Sequence, residues 1–156
     1  MPANIDNTIH IDAPIDFVWR MTNEVESWPS LFSEYESVNV LHREGSTIRF
    51  RLSTKPDADG TTWTWVSDRT ADEQNRTVHA HRVETGPFRF MNIRWFYTES
   101  GTGTKMRWAQ EFSMRPDAKV DDETMAEHLQ RRTVAQMAHV KKKVEEEFRR
   151  SPRARA

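Results

Sequence analysis

Ile5, Ile9 and Ile11 fall on one side of an extended Asn4–Ile11 segment, and this two-residue period predicts a strand. Asp12 or Ala13 is then expected to cap a helix with Pro14 in its first turn, where a missing N–H costs nothing. Phe17, Val18 and Met21 give that helix an apolar side, and Trp28-Pro29 is expected to break it and open a short second helix through Leu31 and Phe32. Alternating segments follow. Val38 and Val40 mark one strand; Ile48, Phe50 and Leu52 mark the next, with Arg49 and Arg51 facing away. Asp57-Ala58-Asp59-Gly60 reads as a turn. From Thr61 to Thr70 the alternation is strict: Trp63, Trp65, Ser67 and Arg69 share one face, and Thr64, Val66 and Asp68 share the other. Arg76 to Glu84 sets Val78, Ala80 and Arg82 against His79 and His81.

Gly86-Pro87 turns the chain, Met91, Ile93 and Trp95 share a face, and Gly101-Thr102-Gly103 makes a hairpin. A last strand sets Met106, Trp108, Gln110, Phe112 and Met114 against Lys105, Arg107 and Glu111. The final segment is helical. Met125, Leu129, Thr133, Met137, Val140, Val144 and Phe148 recur at three- and four-residue steps, Asp121 and Asp122 suit its start, and Lys141, Lys142 and Lys143 suit its end. From Asp121 to Arg149 it spans roughly 43 Å, so it must cross a sheet diagonally or overhang it. The pattern predicts an α+β domain over residues 1–150, a curved seven-stranded antiparallel sheet around a long C-terminal helix with an interior pocket. Ser151 to Ala156 is read as a short basic tail.

Composition narrows the classes. Lys plus Arg is 23 against 24 for Asp plus Glu, a balance that argues against a general nucleic-acid binder. There is no Cys, which removes disulfide, thiolate and iron–sulfur chemistry. The six Trp among 10% aromatic residues exclude wholesale disorder. No run approaches a membrane span and no leader pattern is visible, so a cytoplasmic address is expected, with no membrane partner.

The predicted inner face is unusual in kind. It carries Trp63, Trp65, Trp95, Trp108, Met91 and Met106, and also Ser67, Arg69, Arg82 and Gln110. Two inward Arg on neighbouring strands, with no inward acid except Glu84, would be costly in a dry core. Flat aromatics with a few convergent polar groups describe a small-molecule pocket. Other features carry less. His79 and His81 have metal-ligand spacing but no third ligand, and Gly101-Thr102-Gly103-Thr104 lacks the Lys-Ser/Thr and helix of a phosphate loop. His128 lies one step from the apolar helix stripe, a boundary position from which it could reach the pocket.

Particular stretches resemble a known family. Ile11-Asp-Ala-Pro-Ile-Asp-Phe-Val-Trp19 and Trp28-Pro-Ser-Leu-Phe-Ser-Glu-Tyr35 resemble the opening of polyketide cyclases in the START and Bet v 1-like superfamily. Trp63-Thr-Trp-Val-Ser-Asp-Arg69, Ala80-His-Arg-Val-Glu-Thr-Gly-Pro-Phe88, Met91-Asn-Ile-Arg-Trp95 and Met106-Arg-Trp-Ala-Gln-Glu-Phe112 are more specific. They resemble the monodomain aromatase/cyclases of bacterial type II polyketide synthases, of the tetracenomycin and spore-pigment kind.

The resemblance implies a helix-grip fold. It also implies a poly-β-ketone substrate held on an acyl carrier protein, with a ketosynthase complex as a further possible partner. The reaction implied is a first-ring aldol closure, typically C9–C14, followed by dehydration to an aromatic ring, with no cofactor. It assigns the leading catalytic role to Arg69 and a supporting one to Tyr35. Trp28, Phe32, Trp65, Phe88, Ile93, Trp95 and Trp108 would form the walls. Trp63, Met91 and His128 are further expected lining residues, and Ser67, Arg82 and Gln110 would orient carbonyls. Arg49 or Arg51 near the mouth is a plausible contact for an acidic carrier. The rivals are a non-catalytic lipid or aromatic carrier of the same fold, and a protein-docking module, against which the balanced charge counts.

Overall fold

The computed structural model describes residues 3–150, so the expected basic tail at 151–156 lies outside the described residues. Strand β1 (Ala3–Ile11) leads into α1 (Ile15–Asn23), a single 3-10 turn (Val25–Ser27) and α2 (Trp28–Leu31). Then come β2 (Tyr35–Glu44), β3 (Thr47–Thr54), β4 (Thr64–Asp72), β5 (Thr77–Arg82), β6 (Phe88–Ser100) and β7 (Gly103–Met114). Helix α3 (Asp122–Arg150) closes the chain. All seven strands form one antiparallel sheet in the order β1-β7-β6-β5-β4-β3-β2. Every neighbour pair but one follows from a hairpin. The exception is β1, which pairs with β7, so the two short helices carry the chain from one edge of the sheet to the other.

Local chemistry explains most boundaries, and corrects two of them. Helix α1 starts a residue later than expected: Pro14 itself is the N-cap, making no side-chain cap bond, and its carbonyl accepts from Val18 N–H at 3.0 Å. The helix also ends earlier than the Trp28-Pro29 signal suggests, because Glu24 leaves helical geometry at φ −82°, ψ 84°. Asp121 starts α3 by accepting from Thr124 N–H at 2.8 Å. The next residue, Asp122, accepts from Met114 N–H at 2.7 Å and ties the helix to the end of β7. Gly101 turns the β6–β7 hairpin at φ +62°, and Gly103 lies so close to β1 that a Cβ there would sit 2.6 Å from the Ile11 carbonyl oxygen.

Helix α3 packs along the sheet's concave face beside β1, where Asn7 and Gln130 exchange two amide hydrogen bonds of 3.0 and 2.7 Å. Met137, Val140 and Val144 are its most buried apolar residues and join Ile11, Val18, Trp28, Phe32, Trp95, Met106 and Trp108 in the main core. Thr133 and Gln136 share its buried face but are polar, and both are used. Thr133 donates to Gln110 at 2.9 Å; Gln136 accepts from Ser33 N–H at 3.1 Å and donates to Ser33 Oγ at 2.8 Å. Arg132 adds an ion pair to Glu34. The segment between α2 and β2 is thereby latched to α3.

Candidate functional site

Three rows of paired residues build the floor. Across the sheet, Phe50, Ser67 and Arg82 align; so do Ile48, Arg69, Ala80, Ile93 and Gln110; so do Ala71, Val78, Trp95 and Trp108. The alternation in β4 and β5 runs without a bulge, so Ser67, Arg69 and Arg82 share the concave face as the sequence predicts. Two bulges bring in residues that alternation alone would send outward. One lies between Tyr35 and Ser37, and turns Tyr35 in beside Trp28 and Phe32 although Val38 and Val40 set the opposite parity. The other lies between Phe88 and Phe90, and lets Phe88 share a cluster with Met91.

The interior is built as an aromatic box. Trp95 stacks on Trp108 at 4.8 Å, and Phe32 lies 5.9 Å from Trp108 and 6.5 Å from Trp95. Trp28 stands 5.5 Å from Phe50 and 5.9 Å from Trp95. Two sizeable cavities, of about 720 and 530 Å³, both open at the surface: one around the β7–α3 connection, the other between α1 and the β4–β5 turn. Trp65, Tyr35, Ile93, Arg82 and Gln110 keep part of their surface open and mark the loosest side of the box.

Arg69 sits at the closed end, 2% exposed. Its guanidinium lies 4.8 Å from the Trp95 ring and 5.3 Å from the Trp28 ring, and Nη1 donates to Asn23 Oδ1 at 2.7 Å. Burial lowers its pKa to about 10, with nearby Tyr97 opposing the fall, so it stays cationic at neutral pH. Arg82 lies at the other end of the box, over Trp65 at 4.2 Å and Phe88 at 4.7 Å. Burial lowers it to about 10 as well, opposed by Tyr35. Glu84, the one acid expected to face it, is exposed and approaches Arg51 instead. Burial first, then the charge of Glu34, raises the Tyr35 phenol far above its usual range, so Tyr35 is a neutral donor.

Among the described residues, three buried donors have no partner: Arg69 Nη2, Trp95 Nε1 and Trp108 Nε1. An orphaned buried donor costs about 1–3 kcal/mol. Trp28 differs, because its Nε1 donates to the Thr22 carbonyl at 3.1 Å. All three belong to side chains of the box, Trp95 and Trp108 stacked on each other and Arg69 against the Trp95 ring. The box suits a flat ligand bearing several oxygens.

Two expected residues fall outside this site. Trp63 is 52% exposed, because β4 begins at Thr64 and residue 63 lies past the rim of the covered face. His128 is exposed on α3 rather than aimed into the box, with Arg132, Arg131 and Glu34 around it. Arg49 and Arg51 face outward as expected but are paired, Arg49 with Asp68 at 2.7 Å and Arg51 with Glu84 at 3.7 Å. Conversely, Tyr97, Thr22 and Asn23 were not anticipated. Tyr97 simply continues the Met91, Ile93, Trp95 alternation by one step, and its hydroxyl lies 2.6 Å from Thr22 Oγ1. Among the described residues no helix is long and apolar enough to cross a membrane.

A family model for polyketide cyclase / dehydrase and lipid transport matches residues 11–142, a span that contains every residue of the box. The chain belongs to the polyketide cyclase family. A Streptomyces cyaneus protein assigned as a polyketide cyclase is 51% identical over 146 residues, covering 94% of this chain and 96% of its own length. The Zhui aromatase/cyclase structure from Streptomyces sp. R1128 superposes with a TM-score of 0.82 at 22% identity, covering 93% of this chain and 94% of the other. A START superfamily protein from Mycobacterium smegmatis shares the fold, with a TM-score of 0.68 at 12% identity over 92% of this chain and 95% of the other. The architecture is thus the START and Bet v 1-like helix grip, and the family's cyclases are the relatives that match at the level of sequence.

Proposed function

We propose that this polyketide cyclase directs the first-ring aldol closure of a poly-β-ketone held on an acyl carrier protein, between C9 and C14, and then its dehydration to an aromatic ring. The observation that carries this reading is the trio of orphaned donors in an aromatic box. A poly-β-ketone presents an acceptor oxygen on every second carbon and becomes flat as it cyclises. Both properties match a cation and two indole N–H groups set among stacked rings.

The chemistry asks mainly for selection. A methylene between two carbonyls is already acidic, and the product gains aromaticity, so the difficulty is choosing one carbonyl among many. Holding one carbon against one carbonyl in near-attack geometry is the box's largest contribution. Water takes a proton from that methylene, a carbon–carbon bond forms as the attacked carbonyl's π bond opens, and its oxygen becomes an alkoxide that then takes a proton. Arg69 Nη2 stabilises that alkoxide, worth about 2.7–4 kcal/mol for one oxyanion donor. Arg69 keeps its proton and its bond to Asn23, and the proton comes from water, toward which Tyr35 is a neutral hydrogen-bond donor. Loss of that oxygen as water then gives the ring double bond. No step requires a redox cofactor, since the overall change is a cyclisation with loss of water.

Entry to the box also falls to one segment in this reading. Phe32 and Tyr35 cover Trp95, Trp108 and Trp65, so the 28–35 segment swings away from α3 to admit a chain, releasing the Glu34–Arg132 and Ser33–Gln136 contacts.

The test is reconstitution with a minimal polyketide synthase and identification of the first ring formed. Added protein is expected to convert a mixture of spontaneously cyclised products into one C9–C14 product. An unchanged mixture would leave the non-catalytic carrier as the better reading.

A further inference from the structure

Arg69 is a buried cation with no carboxylate bonded to it among the described residues. What holds it is a chain of neutral groups. Asn23 accepts from Arg69 Nη1, while its own amide nitrogen donates to the Trp19 carbonyl at 2.8 Å and reaches Tyr97 Oη at 3.4 Å. Those donations fix the amide with its oxygen toward the guanidinium. Thr22 Oγ1 donates to the Val18 carbonyl at 2.8 Å, which uses its single hydrogen. In the 2.6 Å contact between Thr22 and Tyr97, Tyr97 is therefore the donor, and its oxygen is left as an acceptor toward Asn23. Every bond in the chain runs away from the cation and ends on carbonyls in the last turns of α1, the negative end of that helix.

We propose that the C-terminal end of α1, through Asn23 and the Thr22–Tyr97 pair, is the uncharged anchor that orients Arg69, making Asn23 and Tyr97 positioning residues for the cyclisation. The inference rests on the catalytic reading of Arg69. With Nη1 held by Asn23 and the plane held between Trp95 and Trp28, Nη2 is the nitrogen left for a substrate oxygen. A carboxylate in place of Asn23 would hold the same nitrogen, but it would neutralise the charge meant for the alkoxide. Burial holds the Tyr97 phenol at about 12, so it stays neutral and cannot act as a counterion at physiological pH.

The test compares Asn23→Leu, Asn23→Asp and Tyr97→Phe with Arg69→Ala. Two readouts are needed: first-ring product ratio with a minimal synthase, and the nitrogen-15 signals of the Arg69 guanidinium in the free protein. All three anchor variants are expected to lower the directed fraction about ten- to a hundredfold, as small misplacements of a reacting group do. Asn23→Leu should also merge Nη1 and Nη2 signals that are separate in the wild type, whereas Asn23→Asp should keep them apart.

Wild-type product ratios from Asn23→Leu and Tyr97→Phe, alongside loss in Arg69→Ala, would overturn the anchor while leaving Arg69 catalytic. A wild-type ratio from Asn23→Asp would overturn the requirement for a neutral anchor. An unchanged ratio in Arg69→Ala would instead sink the catalytic reading. The guanidinium signals would then decide the anchor alone: merging in Asn23→Leu supports it, and unchanged separation overturns it.

Discussion

Arg69 and Arg82 are inward cations on neighbouring strands, both lowered to about 10 by burial, both facing a tyrosine, and neither bonded to an acid among the described residues. Their surroundings differ. Arg69 is held by a hydrogen bond and two ring faces at the closed end, while Arg82 lies on the Trp65 and Phe88 rings with no side-chain hydrogen bond among the described residues. A fixed guanidinium can await one developing charge in one place, whereas a cation stacked on rings can follow a moving chain. The pair teaches that inward parity alone does not distinguish catalysis from guidance; the hydrogen-bond partner does.

The largest expected effect separates the two. Arg69→Met should abolish the directed ring in product profiling while leaving the melting temperature unchanged or raised, since a buried cation is often replaced by an apolar side chain at no loss of stability. The pH dependence has a definite sign. Because the folded pKa of Arg69 is about 10, below its ordinary 12.5, burying the charged form opposes folding at neutral pH. That penalty fades as pH rises through 10, so any stability gained in Arg69→Met should shrink above that pH in thermal melts.

Arg82→Met should do less. The directed product should persist, with a several-fold weaker hold on the chain, visible as a reduced yield at low carrier concentration. Loss as complete as in Arg69→Met would erase the proposed difference between the two ends.

Tyr35→Phe is expected to fall between Arg82→Met and no effect, because water supplies the proton and the phenol only hydrogen-bonds along its path. Trp63→Ala should leave the product ratio unchanged, as its exposed ring lies beyond the rim; a changed ratio would return residue 63 to the site. Smallest is the acid limb of stability. Hydrogen bonding to Arg49 holds Asp68 below the usual carboxylate range, and Arg107 does the same for Asp6. Their contribution is present above the unfolded pKa near 3.9 and is lost as pH falls through the lowered folded values. Asp68→Asn should therefore flatten the loss of stability below about pH 4 in acid melts.

The architecture was legible because the alternation is clean where it matters. Trp65, Ser67, Arg69, Arg82 and Trp95 all face inward as their parity demands, and the α3 stripe packs as its spacing demands. Legibility failed where geometry departs from period two or where strands end. The bulges at Tyr35 and Phe88 are invisible in the pattern, and only family resemblance placed those residues in the site. Alternation continued past the true end of β4 put Trp63 on a face that nothing covers there. Tyr97 was readable and went unread, since its partners Thr22 and Asn23 belong to a helix whose C-terminal turn gives no outward sign of contacting the sheet. The ring-to-ring contacts of the box follow from packing, which no one-dimensional pattern encodes.

The central claim, that unpartnered interior donors receive the oxygens of a flat ligand, is most directly tested by the indole N–H signals of the six tryptophans during titration with a trihydroxyanthraquinone probe. Trp95 and Trp108 should shift strongly downfield together, while Trp28, already bonded to a backbone carbonyl, and exposed Trp63 stay near their starting positions. Saturable binding that leaves Trp95 and Trp108 unmoved, or that moves Trp63 instead, would contradict the account.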